Sequence, residues 1–104
     1  MIIKLDWYNC TALPQWEAQI HHMLEEAAHY KSISHASIRI EDTPGTELRF
    51  HLVTLLRMPG PDVIAHGDGH TFEEAMLNMG ARLRRTLRSR ALNEQRPATA
   101  PVPA

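Results

Sequence analysis

The chain has 104 residues, of which 43% are hydrophobic and 22% charged, a composition typical of an ordinary soluble globular domain. No apolar run reaches the roughly 20 residues that a membrane-spanning helix needs, and the start MIIKLDWYNC lacks the apolar core of a signal peptide. Cys10 is the single cysteine, which excludes an internal disulfide framework, so we expect a cytoplasmic protein without a membrane partner.

The first half of the chain predicts a strand, a helix and a second strand. Residues 2–8 alternate between apolar and polar, which indicates a half-buried strand. Pro14 suits the first position of a helix that continues to about residue 30. Residues 35–42 alternate again and predict a second strand. The apolar stripe of the helix consists of Trp16, Ile20, Met23, Leu24 and Ala27.

The second half predicts two more strands and a second helix. Residues 47–58 are the longest strand candidate, with Leu48 on its inward face, and residues 62–67 predict a short fourth strand. The segment HGDGH, residues 66–70, lacks the spacing and the lysine of a Walker phosphate loop. It predicts instead a tight connection between the fourth strand and the helix, with Asp68 near the helix start.

The second helix has the clearest signature. Thr71 followed by Glu74 is a capping-box pattern. Gly80 lies in the apolar stripe at a cost of ~1 kcal/mol relative to alanine, which suggests a close approach to the sheet. Residues 93–104 are rich in proline and small residues and predict a disordered tail. The stripe itself consists of Phe72, Met76, Met79, Gly80, Leu83 and Leu87.

The element order is therefore β-α-β-β-β-α, with residues 1–92 forming one domain. We expect a two-layer α+β sandwich in which two helices cover one face of a four-stranded, mainly antiparallel sheet. The other face would meet solvent or a partner, and Val53 and Leu55 are a mild indication of a partner surface there.

Catalytic and cofactor-binding patterns are missing from the sequence. It has no GxSxG motif, and the paired carboxylates Glu25/Glu26 and Glu73/Glu74 fall on helix positions where a structural role is the default. We therefore expect no enzyme, no cofactor and no small-molecule substrate. Seven histidines leave a metal site conceivable, with His66 and His70 flanking GDG. They are spread over four elements without HExxH or Cys/His spacing, so a zinc site is the weaker interpretation.

The positive charge of the chain is concentrated in the second helix. Residues 1–81 carry 5 Lys/Arg against 11 Asp/Glu, whereas residues 82–96 carry six arginines against one glutamate. One interpretation is that the arginines complete a helix end, where basic side chains are favoured by ~0.3–1 kcal/mol each. Alternatively they bind phosphate, as arginine forks do, without a motif that reads bases.

Residues 50–90 resemble the ribosome hibernation-promoting factor and ribosome-associated inhibitor family, also called the sigma-54 modulation or S30AE-like family, in its short form. The resemblance lies in the Pro59-Gly60 hairpin, the short strand from Val63 to Ala65 and the helix start Phe72-Glu73-Glu74-Ala75. It extends through the basic end Leu83-Arg84-Arg85 to Leu87-Arg88, and with residues 11–13 and ASIRIED it covers about residues 1–92.

The resemblance implies a dsRBD-like domain that lodges in the small ribosomal subunit and contacts rRNA where tRNA and mRNA normally pass. Such a protein silences idle ribosomes, as in a stress response. The short form lacks the second domain that dimerises ribosomes, so bridging is not expected. The implied RNA-binding residues are Arg82, Arg84, Arg85, Arg88 and Arg90 of the second helix, together with Lys31 near the end of the first.

The first helix departs from the family pattern. Relatives carry several lysines or arginines there, whereas this chain has HHMLEEAAHYK. This difference leaves an alternative open, namely a non-enzymatic protein–protein interaction module on the same fold that does not bind RNA. The oligomeric state does not follow from the sequence.

Overall fold

The computed structural model describes residues 1–95, with side chains described through Leu92. Residues 96–104, most of the expected tail, lie outside the described part, whereas residues 93–95 belong to the second helix. The element order confirms β-α-β-β-β-α: β1 (Ile2–Tyr8), α1 (Pro14–Ala28), β2 (His35–Asp42), β3 (Phe50–Arg57), β4 (Val63–Gly69) and α2 (Phe72–Gln95).

The four strands form one sheet in the order β1-β2-β3-β4. β2 and β3 pair antiparallel, as do β3 and β4. β1 and β2 pair parallel, with Ile3 opposite Ala36 and Trp7 opposite Ile40, so the sheet is mixed. Two of the three pairings therefore agree with the expected mainly antiparallel sheet. The pairing of β1 with β2 is parallel because α1 carries the chain back to the starting end of β1. The dsRBD-like label stays a prediction.

The loop between β2 and β3 is longer than the sequence predicted. β3 begins at Phe50 rather than near residue 47, and Leu48 is 44% exposed instead of facing inward. The carboxylate of Asp42, only 5% exposed, accepts two hydrogen bonds from Arg49: 2.6 Å from Nε to Oδ1 and 2.9 Å from Nη2 to Oδ2. This bidentate pair closes the loop and satisfies a charge at the margin of the core.

One hydrophobic core lies between the sheet and the two helices. The helices contribute their predicted apolar stripes, and the inward faces of β2, β3 and β4 are buried against them. At one end the rings of Trp16 and Phe72 stack with centroids 4.6 Å apart, with Trp7 and Phe50 beside them. The fully buried large residues include Ile20, Leu24, Ile38, Ile40, Leu52, Leu56, Met79, Leu83 and Leu87.

The close approach of α2 to the sheet occurs at β4. A β-carbon on Gly67 would lie 2.5 Å from Cβ of Met79, and one on Gly69 would lie 2.6 Å from the backbone nitrogen of Ala75. The two glycines of HGDGH are therefore strand residues that α2 packs onto, and the predicted loop at residues 66–70 was wrong. The prediction that Gly80 allows the close approach to the sheet was wrong, since the nearest atom to a β-carbon on Gly80 is Nη1 of Arg84 at 3.4 Å.

Candidate nucleic-acid interface

One flank of α2 is bound to the outer edge of β4. The side-chain amide of Asn78 donates to the carbonyl oxygen of Asp68 at 2.8 Å, and Nη1 of Arg82 donates to the carbonyl oxygen of His66 at 3.1 Å. Nη2 of Arg90 donates to the carbonyl oxygen of Pro61. Two of the five arginines implied to bind RNA therefore have partners within the fold, which hold the helix against the strand.

The other three arginines project from the outward face of α2. Arg84, Arg85 and Arg88 are exposed and, with Ala81, line a shallow crevice of about 230 Å³. Within the described residues, none of their guanidinium groups takes part in a hydrogen bond or an ion pair. The spacing of one to four residues brings the three side chains to neighbouring positions on one surface. The arrangement offers several fixed positive charges to an anion that bridges them.

Lys31 lies near the C-terminal half of α2. It follows α1 and is half-buried, where it lines a very small crevice together with Leu87 and Arg90. The structure thus brings Lys31 close to the basic half of α2, although the sequence separates them by more than fifty residues.

The surface of α1 beside these arginines is acidic rather than basic. His22 and Glu26 form an ion pair, with 3.0 Å between Nε2 and Oε1, when the histidine is protonated. Both line a groove of about 240 Å³ between the helices, to which Glu73 and Arg84 also contribute. The positive surface formed by Arg84, Arg85 and Arg88 therefore lies on the outward face of the C-terminal half of α2, with a negative border on its α1 side.

The histidines do not converge. Among the residues that the structure describes, no three His, Cys, Asp or Glu side chains are placed to hold a metal ion. His51 instead lies 2.7 Å from Oδ1 of Asp68 through Nδ1, and 3.1 Å from Oγ1 of Thr43 through Nε2. These contacts tie the loop after β2 to β3 and β4. The sequence analysis missed them because they depend on the strand register that places His51 opposite Asp68.

The one cysteine shows no sign of activation as a nucleophile. Burial raises the pKa of the Cys10 thiol, and the negative charge of Asp42 raises that pKa further, outweighing a backbone hydrogen bond at Tyr8 that lowers it. A raised pKa keeps the thiol protonated at neutral pH, the opposite of what a catalytic cysteine requires.

The open face of the sheet carries a second surface feature. A groove of about 280 Å³ runs over β1, β2 and β3, and its lining includes Ile2, Lys4, Leu55 and Arg57. Ile2 is 64% exposed, and Ile64, opposite Leu55 in the register, is 58% exposed. Val53 and Leu55, the two residues singled out in the sequence, are half-buried here.

No helix in the described part of the chain is both long enough and apolar enough to cross a membrane.

Comparison with known proteins identifies the fold. No protein-family model matches the sequence, and no curated protein matches it in sequence. A ribosomal subunit interface protein from Coxiella burnetii superposes with a TM-score of 0.66 at 14% identity, over 88% of this chain and 99% of that one. The N-terminal domain of Protein Y from Thermus thermophilus gives 0.68 at 12% identity, over 91% of this chain and 100% of that one. The resemblance to the hibernation-factor family is thus confirmed at the level of the fold, which this chain shares over the whole of both structures.

Proposed function

We propose that this protein is a non-enzymatic, cytoplasmic translation inhibitor that associates with the small ribosomal subunit when ribosomes are idle. It binds rRNA through the outward face of α2. The observation that carries this proposal is a group of three exposed arginines, Arg84, Arg85 and Arg88, that have no hydrogen-bond or ion-pair partner among the described residues. They lie on a fold shared with a ribosomal subunit interface protein.

The chemistry of this surface suits a phosphate backbone. A guanidinium group stays charged at every relevant pH and offers a planar fork that binds phosphate oxygens in pairs. Neutralising several phosphates releases condensed counterions, which supplies affinity without any reading of sequence. The bonds of Arg82 and Arg90 to β4 and its preceding turn hold the helix against the sheet, so that the backbone positions from which the neighbouring arginines project are set by the fold.

The acidic neighbouring helix restricts how RNA can approach. Glu26 and Glu73 border the groove on the α1 side and would repel a phosphate placed between the helices. RNA is therefore expected to contact the outward face of the C-terminal half of α2. Lys31 would lie at one end of this contact, and Arg82 and Arg90 would add positive charge on the side of α2 that meets β4. This one-sided contact is narrower than a surface built from two basic helices.

The test is co-sedimentation of the purified protein with bacterial small subunits. The double variant Arg84→Glu/Arg88→Glu should lose association at low salt and should no longer inhibit a translation extract. The matched control is Arg39→Glu/Arg57→Glu, which changes the net charge equally on the open face of the sheet. The control should bind as the parent protein does. Equal binding by the Arg84/Arg88 variant and its parent would refute the proposal.

The groove on the open sheet face favours one alternative, a protein–protein interaction module. Exposed Ile2 and Ile64 flank Leu55 there, which gives a partner protein an apolar anchor. In that case Leu55→Asp would abolish complex formation in cell extract, whereas Arg84→Glu/Arg88→Glu would leave it intact. The reverse pattern supports the ribosome-binding function.

A further inference from the structure

The two edges of the sheet differ in how they are covered. The outer edge of β4 is covered by α2, whose Asn78 and Arg82 bind its carbonyl oxygens. The outer edge of β1 has no such cover, because β2 is the only strand that pairs with it in the described part of the chain. An uncovered edge of seven residues is a template for another strand.

The backbone of β1 directs alternate residues toward that edge. The N–H of Ile2 donates to the carbonyl oxygen of Ser34 at 3.0 Å, so Ile2 faces β2. In a parallel pair every second residue directs both its N–H and its C=O to the same neighbour. Lys4 and Asp6 therefore face β2 as well, while Ile3, Leu5 and Trp7 present their N–H and C=O groups outward.

We propose that β1 pairs antiparallel with β1 of a second copy of this chain, about a two-fold axis through Leu5. The outward-facing groups then form hydrogen-bonded pairs of Leu5 with itself and of Ile3 with Trp7 of the second copy. Between these pairs Lys4 stands opposite Asp6 of the second copy, at the closer, non-hydrogen-bonded positions. The contact is self-complementary, as a two-fold interface requires.

The charges select this register over its neighbours. A slip of two residues in one direction places Lys4 opposite Lys4, and a slip in the other places Asp6 opposite Asp6. Both arrangements oppose like charges, whereas the axis through Leu5 creates two attractive pairs. Lys4 and Asp6 of one chain are already 3.9 Å apart, so the four charges would alternate around the axis. Charged residues normally protect a sheet edge from pairing, but this pattern favours one partner.

The apolar side chains of β1 also favour a second copy. Ile3, Leu5 and Trp7 remain half-buried, unlike the buried inward residues of β2, because no strand lies beyond them. On the open face Ile2 is 64% exposed and Tyr8 is 42% exposed, and the register places each opposite the other. Residues 96–104 of the chain itself are poorly suited to this edge, since three of the nine are prolines without an N–H.

The dimer does not compete with the proposed RNA contact. β1 and the α2-covered strand β4 lie at opposite edges of the sheet. Both copies would keep Arg84, Arg85 and Arg88 exposed, so dimer formation and ribosome binding can succeed or fail independently of each other.

Sedimentation equilibrium of the full chain over a wide concentration range tests the pairing. We expect a reversible dimer that Lys4→Glu and Asp6→Lys each weaken by about tenfold in Kd, because each turns two attractive pairs into two repulsive ones. The double variant Lys4→Glu/Asp6→Lys should restore the parent Kd. An equimolar mixture of the two single variants should form a heterodimer more tightly than either variant dimerises alone.

The matched control Asp62→Lys makes the same charge reversal as Asp6→Lys in the exposed turn before β4, at the opposite edge of the sheet, and should leave the dimer unchanged. A protein that stays monomeric at every concentration would overturn the proposal. The proposal would then fail even if a different protein added a strand to β1. A dimer whose Kd ignores the single charge reversals would also overturn it, because the contact would then lie elsewhere.

Discussion

Nη1 of Arg82 on α2 lies 3.1 Å from the carbonyl oxygen of His66 on β4, which divides the arginines of one helix into two groups. Arg82 belongs to the contact between helix and sheet, whereas Arg84, two residues later, makes no such bond among the described residues. Arg82→Ala should therefore lower the free energy of unfolding by about 0.5–1.5 kcal/mol, the usual net value of one hydrogen bond. Arg84→Ala should leave it unchanged.

Chemical denaturation of both variants checks this division. The two substitutions remove the same side chain at positions two residues apart in one helix, so the helix propensity change cancels in the comparison. An equal loss of stability in both would contradict the assignment of Arg82 to the helix–sheet contact.

The salt dependence of binding should count the arginines that meet phosphate. Each of Arg84→Ala, Arg85→Ala and Arg88→Ala should reduce the slope of log K against log salt by about 0.7–0.9, because each removes about one released counterion. Binding constants for small subunits at four or five salt concentrations give this slope. Arg57→Ala on the opposite face is the control and should keep the parent slope. A slope that none of the three substitutions alters would exclude direct phosphate contact.

Two glycines should respond in opposite ways to an added methyl group. Gly67→Ala places a β-carbon 2.5 Å from Cβ of Met79 on α2, so the helix must move away from β4 and the protein should lose stability. Gly80→Ala meets only the flexible end of Arg84 at 3.4 Å and Sδ of Met23 at 4.0 Å. It should gain up to about 1 kcal/mol from helix propensity. Thermal unfolding of the pair decides, and a stabilised Gly67→Ala protein would contradict the close packing.

The sequence predicted the features that local periodicity encodes. The apolar stripes of both helices are buried as expected, except that Trp16 at the start of α1 is only partly buried. The backbone N–H of Glu74 donates to Oγ1 of Thr71 at 3.1 Å, as the capping pattern indicated. The resemblance carried by residues 50–90 led to the correct fold, even though the two solved structures share only 14% and 12% identity with the chain.

The sequence could not predict features that depend on contacts between distant residues. Glycine occurs both in loops and in strands onto which a helix packs closely, so the sequence HGDGH does not show where β4 ends. The strand continues to Gly69, where α2 packs against it. Similarly, Arg82 and Arg84 lie on opposite flanks of the apolar stripe in a helical wheel. Only the position of β4 decides which of the two meets the sheet. The bond between Asp42 and Arg49 closes residues 43–49 into a loop, so β3 begins at Phe50 and is shorter than the sequence predicted.

Cys10 provides a prediction that depends on pH. Burial, and after it the charge of Asp42, raises the pKa of this thiol, so the folded state holds the proton more tightly than the unfolded state. Its stabilising contribution is present below the pKa of the unfolded thiol and is lost as pH rises through the higher folded value.

Alkylation by iodoacetamide should therefore be slower for the folded protein than for the chain in urea. The rate should also rise with pH around a higher midpoint, since the thiolate is the reactive form. Asp42→Asn should shift that midpoint downward, with the Cys10→Ser protein as the unreactive control. Equal midpoints for folded and unfolded protein would show that the surroundings of Cys10 do not favour the neutral thiol.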